Sequence, residues 1–150
     1  MNADTVCAQI LQDALLRYIP AVRTLGIRVL TADPRSVSLL LPLAENANHH
    51  HTLFGGSSAL AATLCGWAMT HLLCPDADGN IVIQNSKIRY LRPAFSDGTV
   101  SARITDEAAV AQFHEDFVTK GKAKIDIAVE IRSGGELATA FEGRYVALKR

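Results

Sequence analysis

Between Asn46 and Leu73 the chain carries no Asp, Glu, Lys or Arg. It is sparing elsewhere too: three Cys, one Trp, five Pro and a formal net charge of zero. An odd number of Cys, with no metal-type spacing among Cys7, Cys65 and Cys74, argues against a disulfide framework or a zinc site. Free thiols in a reducing cytoplasm are the expectation. Balanced charge argues against broad nucleic-acid binding. The stretch MNADTVCAQILQDALL lacks a basic region and contains Asp4 and Asp13, so it does not read as a secretory signal. There is no internal repeat and no low-complexity linker. At 150 residues, 49% of them hydrophobic, the chain is expected to form one domain, 1–150, with a real core.

The charge-free stretch organises the rest. Asn46 to Thr52 is polar and turn-like, Phe54-Gly55-Gly56-Ser57 follows, and a helix is expected over Ser57–Leu73. The Gly-Gly pair permits positive φ, and Ser57 or Ser58 suits the helix cap. The helix is apolar on nearly every side, so it is either buried or in a membrane. At roughly 25 Å it falls short of a ~30 Å hydrocarbon core. Ser, Thr, Gly and His interrupt it, which favours a buried central helix and no membrane span. Ala59, Ala62, Thr63, Gly66 and Thr70 give it one slim face, open to a close backbone or a slender ligand.

Periodicity supplies the remaining elements. An amphipathic helix is expected over Thr5–Tyr18, limited by Pro20. Strands over Gly26–Thr31 and Ser36–Leu43 flank an Asp33-Pro34-Arg35 turn. A long strand over Ile81–Leu91 places Val82, Gln84, Ser86, Ile88 and Tyr90 on one face, Lys87 and Arg89 on the other. Ser96-Asp97-Gly98 turns into a strand over Thr99–Thr105. Val110, Phe113 and Phe117 recur at helical spacing within Asp106–Lys120, and Gly121 stands as the terminating residue. Strands over Lys122–Arg132 and Glu136–Leu148 flank a Ser133-Gly134-Gly135 hairpin turn. The expected class is α+β, an antiparallel sheet wrapped around one apolar helix.

This arrangement resembles the hotdog-fold thioesterases, and among them the thioesterase domain family that also occurs as the C-terminal part of an acetyltransferase-like bacterial protein. The resemblance rests on Asn46-Ala47-Asn48, Thr52-Leu53-Phe54-Gly55-Gly56-Ser57, Leu60-Ala61, Gly66-Trp67 and Ile81-Val82-Ile83. It continues through Ser86-Lys87-Ile88-Arg89-Tyr90-Leu91-Arg92-Pro93 and Lys120-Gly121-Lys122-Ala123. It implies acyl-thioester substrates on CoA or an acyl carrier, no cofactor, and a homodimer or dimer of dimers. In better-known hotdog thioesterases an Asn precedes His-Gly-Gly, a glycine N–H binds the thioester carbonyl, and an acid follows on the helix. Asn48, Gly55 and Gly56 match that pattern; Phe54 replaces the His, and Thr63 stands where the acid would be.

The candidate catalytic residues are therefore Asn48, Gly55, Gly56 and Thr63. The N–H groups at the helix start, with the positive end of the macrodipole, suit a carbonyl oxygen that becomes negative. Asn48 or Thr63 would position water. Phe54, Ser57 and Ser86 are candidate substrate contacts, as are Lys87, Arg89 and Arg92, a basic edge suited to the phosphates of CoA. Each has a plainer role available: a turn, a packing residue, a solvated strand face. His49-His50-His51 suits a metal poorly, because adjacent His side chains rarely converge; one of them as a general base is the better use. The missing carboxylate leaves a non-catalytic acyl-CoA-binding or sensing module as the first rival, with a hotdog dehydratase or hydratase behind it.

Overall fold

A computed structural model of the chain describes residues 2–150; Met1, the first residue of the terminal stretch read above, lies outside it. Helix α1 (Ala3–Tyr18) starts where the Asn2 side chain accepts from Thr5 N and buries Ala8, Leu11 and Leu15. A single turn, α2 (Ala21–Thr24), leads to β1 (Arg28–Asp33) and β2 (Ser36–Leu41). The expected first strand began at Gly26, but Gly26 sits at φ +67° and turns the chain into β1. Likewise β2 stops at Leu41, because Pro42 opens another single turn, α3 (Leu43–Asn46), which periodicity did not indicate.

The central helix α4 (Gly55–Leu73) begins two residues before its expected start. Phe54 is the N-cap, with no side-chain cap bond, so neither Ser57 nor Ser58 caps the helix. Gly55 and Gly56 form its first turn and do not use positive φ, contrary to expectation. After α4 come a 3-10 turn (Pro75–Ala77), β3 (Ile81–Tyr90) and β4 (Gly98–Arg103). Helix α5 (Glu107–Lys120) is capped by Asp106 accepting from Ala109 N and closed by Gly121 at φ +69°. Strands β5 (Lys122–Ser133) and β6 (Glu136–Leu148) complete the fold, joined through Gly134 and Gly135, both at positive φ.

The six strands form one antiparallel sheet in the order β1-β2-β4-β5-β6-β3. Helix α4 packs against β2, β3, β4, β5 and β6, and residues such as Leu64, Cys65, Ala68 and Met69 vanish into that contact. This is the expected hotdog arrangement: the sheet buries an all-apolar helix, and the helix covers the sheet's inner face. The slim face of α4 is filled from within. At Gly66 a Cβ would collide with the ring of Tyr145 on β6, whose hydroxyl donates to Thr63 O at 2.7 Å.

A bulge between Ile83 and Asn85 reorders the expected faces of β3. Ile81 and Ile83 pair with Ala147 and Tyr145 on the helix side, and past the bulge Ser86, Ile88 and Tyr90 take that side opposite Gly143, Phe141 and Thr139. Val82 thus belongs to the outer face, not with Ser86 as the unbroken alternation implied. No helix among the described residues is long and apolar enough to cross a membrane.

Candidate active site

The Asn46–Phe54 loop is fixed from both ends. Asn46 is buried and donates through Nδ2 to Leu25 O and Pro42 O, and its carbonyl accepts from Phe54 N at 2.8 Å. Leu53 N donates to Ala94 O, tying the loop to the segment after β3. Asn48 Oδ1 accepts from His50 N, Thr52 N and Thr52 Oγ1, at 2.9 to 3.1 Å. That oxygen is consumed in holding the turn and cannot orient a water. His49 and His50 are exposed and tilt against each other, centroids 3.9 Å apart, while His51 takes φ +60°.

The loop delivers the chain to the start of α4. The first intrahelical bond there runs from Ser58 N to Phe54 O. The N–H groups of Gly55, Gly56 and Ser57 have no acceptor among the described residues, as expected for the first turn of a helix. They carry the helix's partial positive charge toward solvent. The exposed Phe54 ring lies over Gly56, where a Cβ would stand 2.5 Å from its Cε2. Tyr90, at the end of β3, donates its hydroxyl to Gly55 O at 3.1 Å and rests its ring against Gly55. The Gly55 carbonyl belongs to the same peptide plane as the Gly56 N–H, so Tyr90 holds the plane that aims this donor.

A cleft of about 280 Å³ opens beside this helix start, lined by Leu53, Gly55, Ser58, Tyr90, Arg92 and Thr139 among others. Four of these, Leu53, Ser58, Tyr90 and Thr139, were not among the expected substrate contacts. Ser58 read as a helix cap, and Thr139 lies far along the chain with no motif around it. The alternation that grouped Tyr90 with Ser86 and Ile88 on one face of β3 was the one available signal.

The other candidates fall into separate places. Thr63 is half-buried, its hydroxyl donated to Ala59 O at 2.8 Å. Ser57 lies in the first turn, and Ser86 faces the helix side of β3 opposite Gly143. Lys87 and Arg89 stand on the outer face of the sheet opposite Glu142 and Ala140, away from Gly55. Arg92 alone of the basic edge reaches the cleft, and it lies 3.5 Å from Glu136. Cys65 is wholly buried with its thiol pushed far up by desolvation, which excludes it as a nucleophile. A larger cavity of about 430 Å³ beside α5 has its carboxylates engaged: Asp106 caps Ala109 N and Asp126 pairs with Arg144.

Known proteins share this frame. A structure from Shewanella oneidensis described as a "putative thioesterase" is 31% identical, covering 96% of this chain and 99% of its own, with a TM-score of 0.80. A protein of unknown function from Chlorobaculum tepidum is 25% identical over 95% of this chain and 94% of its own, with a TM-score of 0.88. A "Probable Thioesterase" from Pseudomonas aeruginosa, 23% identical over 95% of each chain, has a TM-score of 0.80 and bears on the fold. The model of one family matches residues 8–149, nearly the whole sequence, and the chain belongs to that family, "Putative thioesterase (yiiD_Cterm)".

Proposed function

We propose that the chain hydrolyses acyl thioesters, acyl-CoA foremost, with the thioester carbonyl held at the N-terminus of α4. The observation that carries this reading is the set of free N–H groups of Gly55 and Gly56 beside a cleft of acyl size, in a member of a thioesterase family. Water adds to the carbonyl carbon, and the oxygen that becomes negative is stabilised by the two N–H groups and the helix end. The C–S bond then breaks, the electron pair leaves with sulfur, and the proton given up by the water ends on the thiolate. No carboxylate lines the cleft, Asn48 Oδ1 is engaged, and the Thr63 hydroxyl donates into its own helix. His49, His50 and His51 are also outside the cleft lining, and we assign the group that takes the proton from water to a second subunit across the open edge of β3.

The test is release of free thiol from a panel of acyl-CoA esters by the purified protein, repeated with Gly55→Val and Gly56→Val. Neither glycine holds positive φ, so neither change strains the backbone, and folding of each variant is checked by thermal unfolding. A Cβ at Gly55 would press on the Tyr90 ring at 3.4 Å, and one at Gly56 on the Phe54 ring, and both residues border the carbonyl site. Loss of one oxyanion donor lowers kcat about a hundredfold. Parent-like turnover by both variants overturns the oxyanion assignment. The missing carboxylate supports one competing reading, a module that binds acyl-CoA without turnover. Tight acyl-CoA binding with no thiol release by the parent would favour it.

A further inference from the structure

Five polar residues are buried in the described structure: Asn46, Thr52, Ser58, Thr70 and Thr139. Three have partners. Asn46 donates to Leu25 O and Pro42 O, the Thr52 hydroxyl to Asn48 Oδ1, and the Thr70 hydroxyl to Gly66 O. The hydroxyls of Ser58 and Thr139 have none among the described residues, although each residue is only 4% exposed. Helical position does not explain Ser58, since Thr63 and Thr70 on the same helix both bond the carbonyl four residues back. Among the described residues the one fully enclosed side-chain polar atom without a partner is His71 Nδ1, so neither free hydroxyl is sealed from solvent. Both residues line one cavity, the cleft beside Gly55.

Neither hydroxyl is sealed off, so water reaches both, and losing that water without a replacement partner costs free energy. Two such groups, one from α4 and one from β6, converge on a cleft whose other walls include Leu53, Pro93 and Ala94. An unsubstituted alkyl chain there would strip both hydroxyls of water and return nothing. An acyl group with an oxygen of its own would pair with them. Resting on the thioesterase reading above, we infer that the cleft selects short acyl groups bearing a hydroxyl or oxo substituent. Ser58 and Thr139 are the residues that recognise it, and Leu53 and Ala94 bound the carbon chain. The volume of about 280 Å³ within one subunit holds a short acyl chain.

Matched esters test this: butyryl-CoA against 3-hydroxybutyryl-CoA, compared by kcat/KM, and the corresponding non-hydrolysable thioethers compared by calorimetric Kd. The parent favours the hydroxylated member about tenfold or more in both measurements. Ser58→Ala and Thr139→Val each bring the ratio toward one, with folding checked by thermal unfolding. Thr139→Ser, which keeps the hydroxyl, retains the preference and serves if Thr139→Val fails to fold. Hydrolysis without discrimination overturns the selectivity and leaves the thioesterase reading standing. Discrimination in binding without hydrolysis does the reverse. Absence of both binding and hydrolysis overturns both.

Discussion

At the scale of single residues, Tyr90 connects the sheet to the chemistry. Its hydroxyl fixes the Gly55–Gly56 peptide plane, and a hydrogen bond to a carbonyl also polarises the N–H on the other side of the same amide. Tyr90→Phe keeps the ring that packs on Gly55 and removes the bond. It is expected to lower kcat several-fold with KM and unfolding temperature little changed, and to shift the Gly56 amide resonance. An unmoved Gly56 resonance with parent kcat would show that the hydroxyl only decorates the surface. His71 offers a second residue-scale outcome. It is half-buried and stacked on Trp67 at 5.3 Å, with Nδ1 unpartnered, and burial pushes its pKa below the usual 6.5 against a smaller upward pull from Asp78. A His whose folded pKa is depressed is bound by fewer protons in the native state. Its contribution is therefore complete above about pH 6.5 and is lost as pH falls toward the folded value. Thermal unfolding between pH 7 and 5 should fall less steeply for His71→Phe than for the parent. Parallel slopes would rule His71 out.

At the scale of elements, the contact between α4 and β6 sets the geometry of the site. Tyr145 is fully buried and occupies the space that Gly66 leaves, with its hydroxyl on Thr63 O. Gly66→Ala should therefore destabilise the fold by about 1–3 kcal/mol through overpacking, read as a lower denaturation midpoint; an unchanged midpoint would mean that the helix and sheet separate freely. This also shows what was legible in the sequence. The strict alternation from Lys122 to Arg132 gave β5 its true faces, because a strand half covered by one helix must alternate. Gly121 marked the end of α5, since a left-handed terminator is local chemistry, while Asp106, expected as the first helical residue, is its cap. The start of α4 was misread because it has no side-chain cap at all, and the serines that suggested one lie inside the helix. The bulge in β3 was invisible, for an inserted residue leaves no compositional mark in a strand exposed on both faces. Gly55 and Gly56 drew attention because a glycine pair next to an apolar run is a local signal, and they form the first turn of α4. Ser58 and Thr139 come to line one cleft only through tertiary packing.

On the scale of the whole molecule, the two ends of the sheet are treated differently. The β1 edge is occupied by α1: Gln12 accepts from Val29 N at 2.7 Å and donates to Ile27 O at 3.3 Å, imitating a neighbouring strand, and β1 also bulges between Val29 and Thr31. Bulges and covered groups are how sheets prevent edge-to-edge growth. The β3 edge is covered only at its start, where Ile81 is buried and its carbonyl accepts from Trp67 Nε1. From Val82 to Tyr90 the strand lies open apart from the half-buried Ile88, with Val82, Ile83 and Tyr90 exposed on it and Phe54 and Leu91 exposed nearby. One blocked edge and one open edge permit a closed pair of subunits and forbid a chain of them. The site asks for the same partner, because its own cleft supplies no base. We therefore expect a homodimer joined along β3, stable at micromolar concentration by light scattering. Val82→Lys with Ile83→Lys should yield a folded monomer whose thioester hydrolysis is lost though Gly55 and Gly56 are untouched. Gln12→Ala, which uncovers Ile27 O and Val29 N, should add larger species to the dimer. A parent protein that scatters as a monomer, or a lysine variant that is monomeric yet fully active, would refute the shared site.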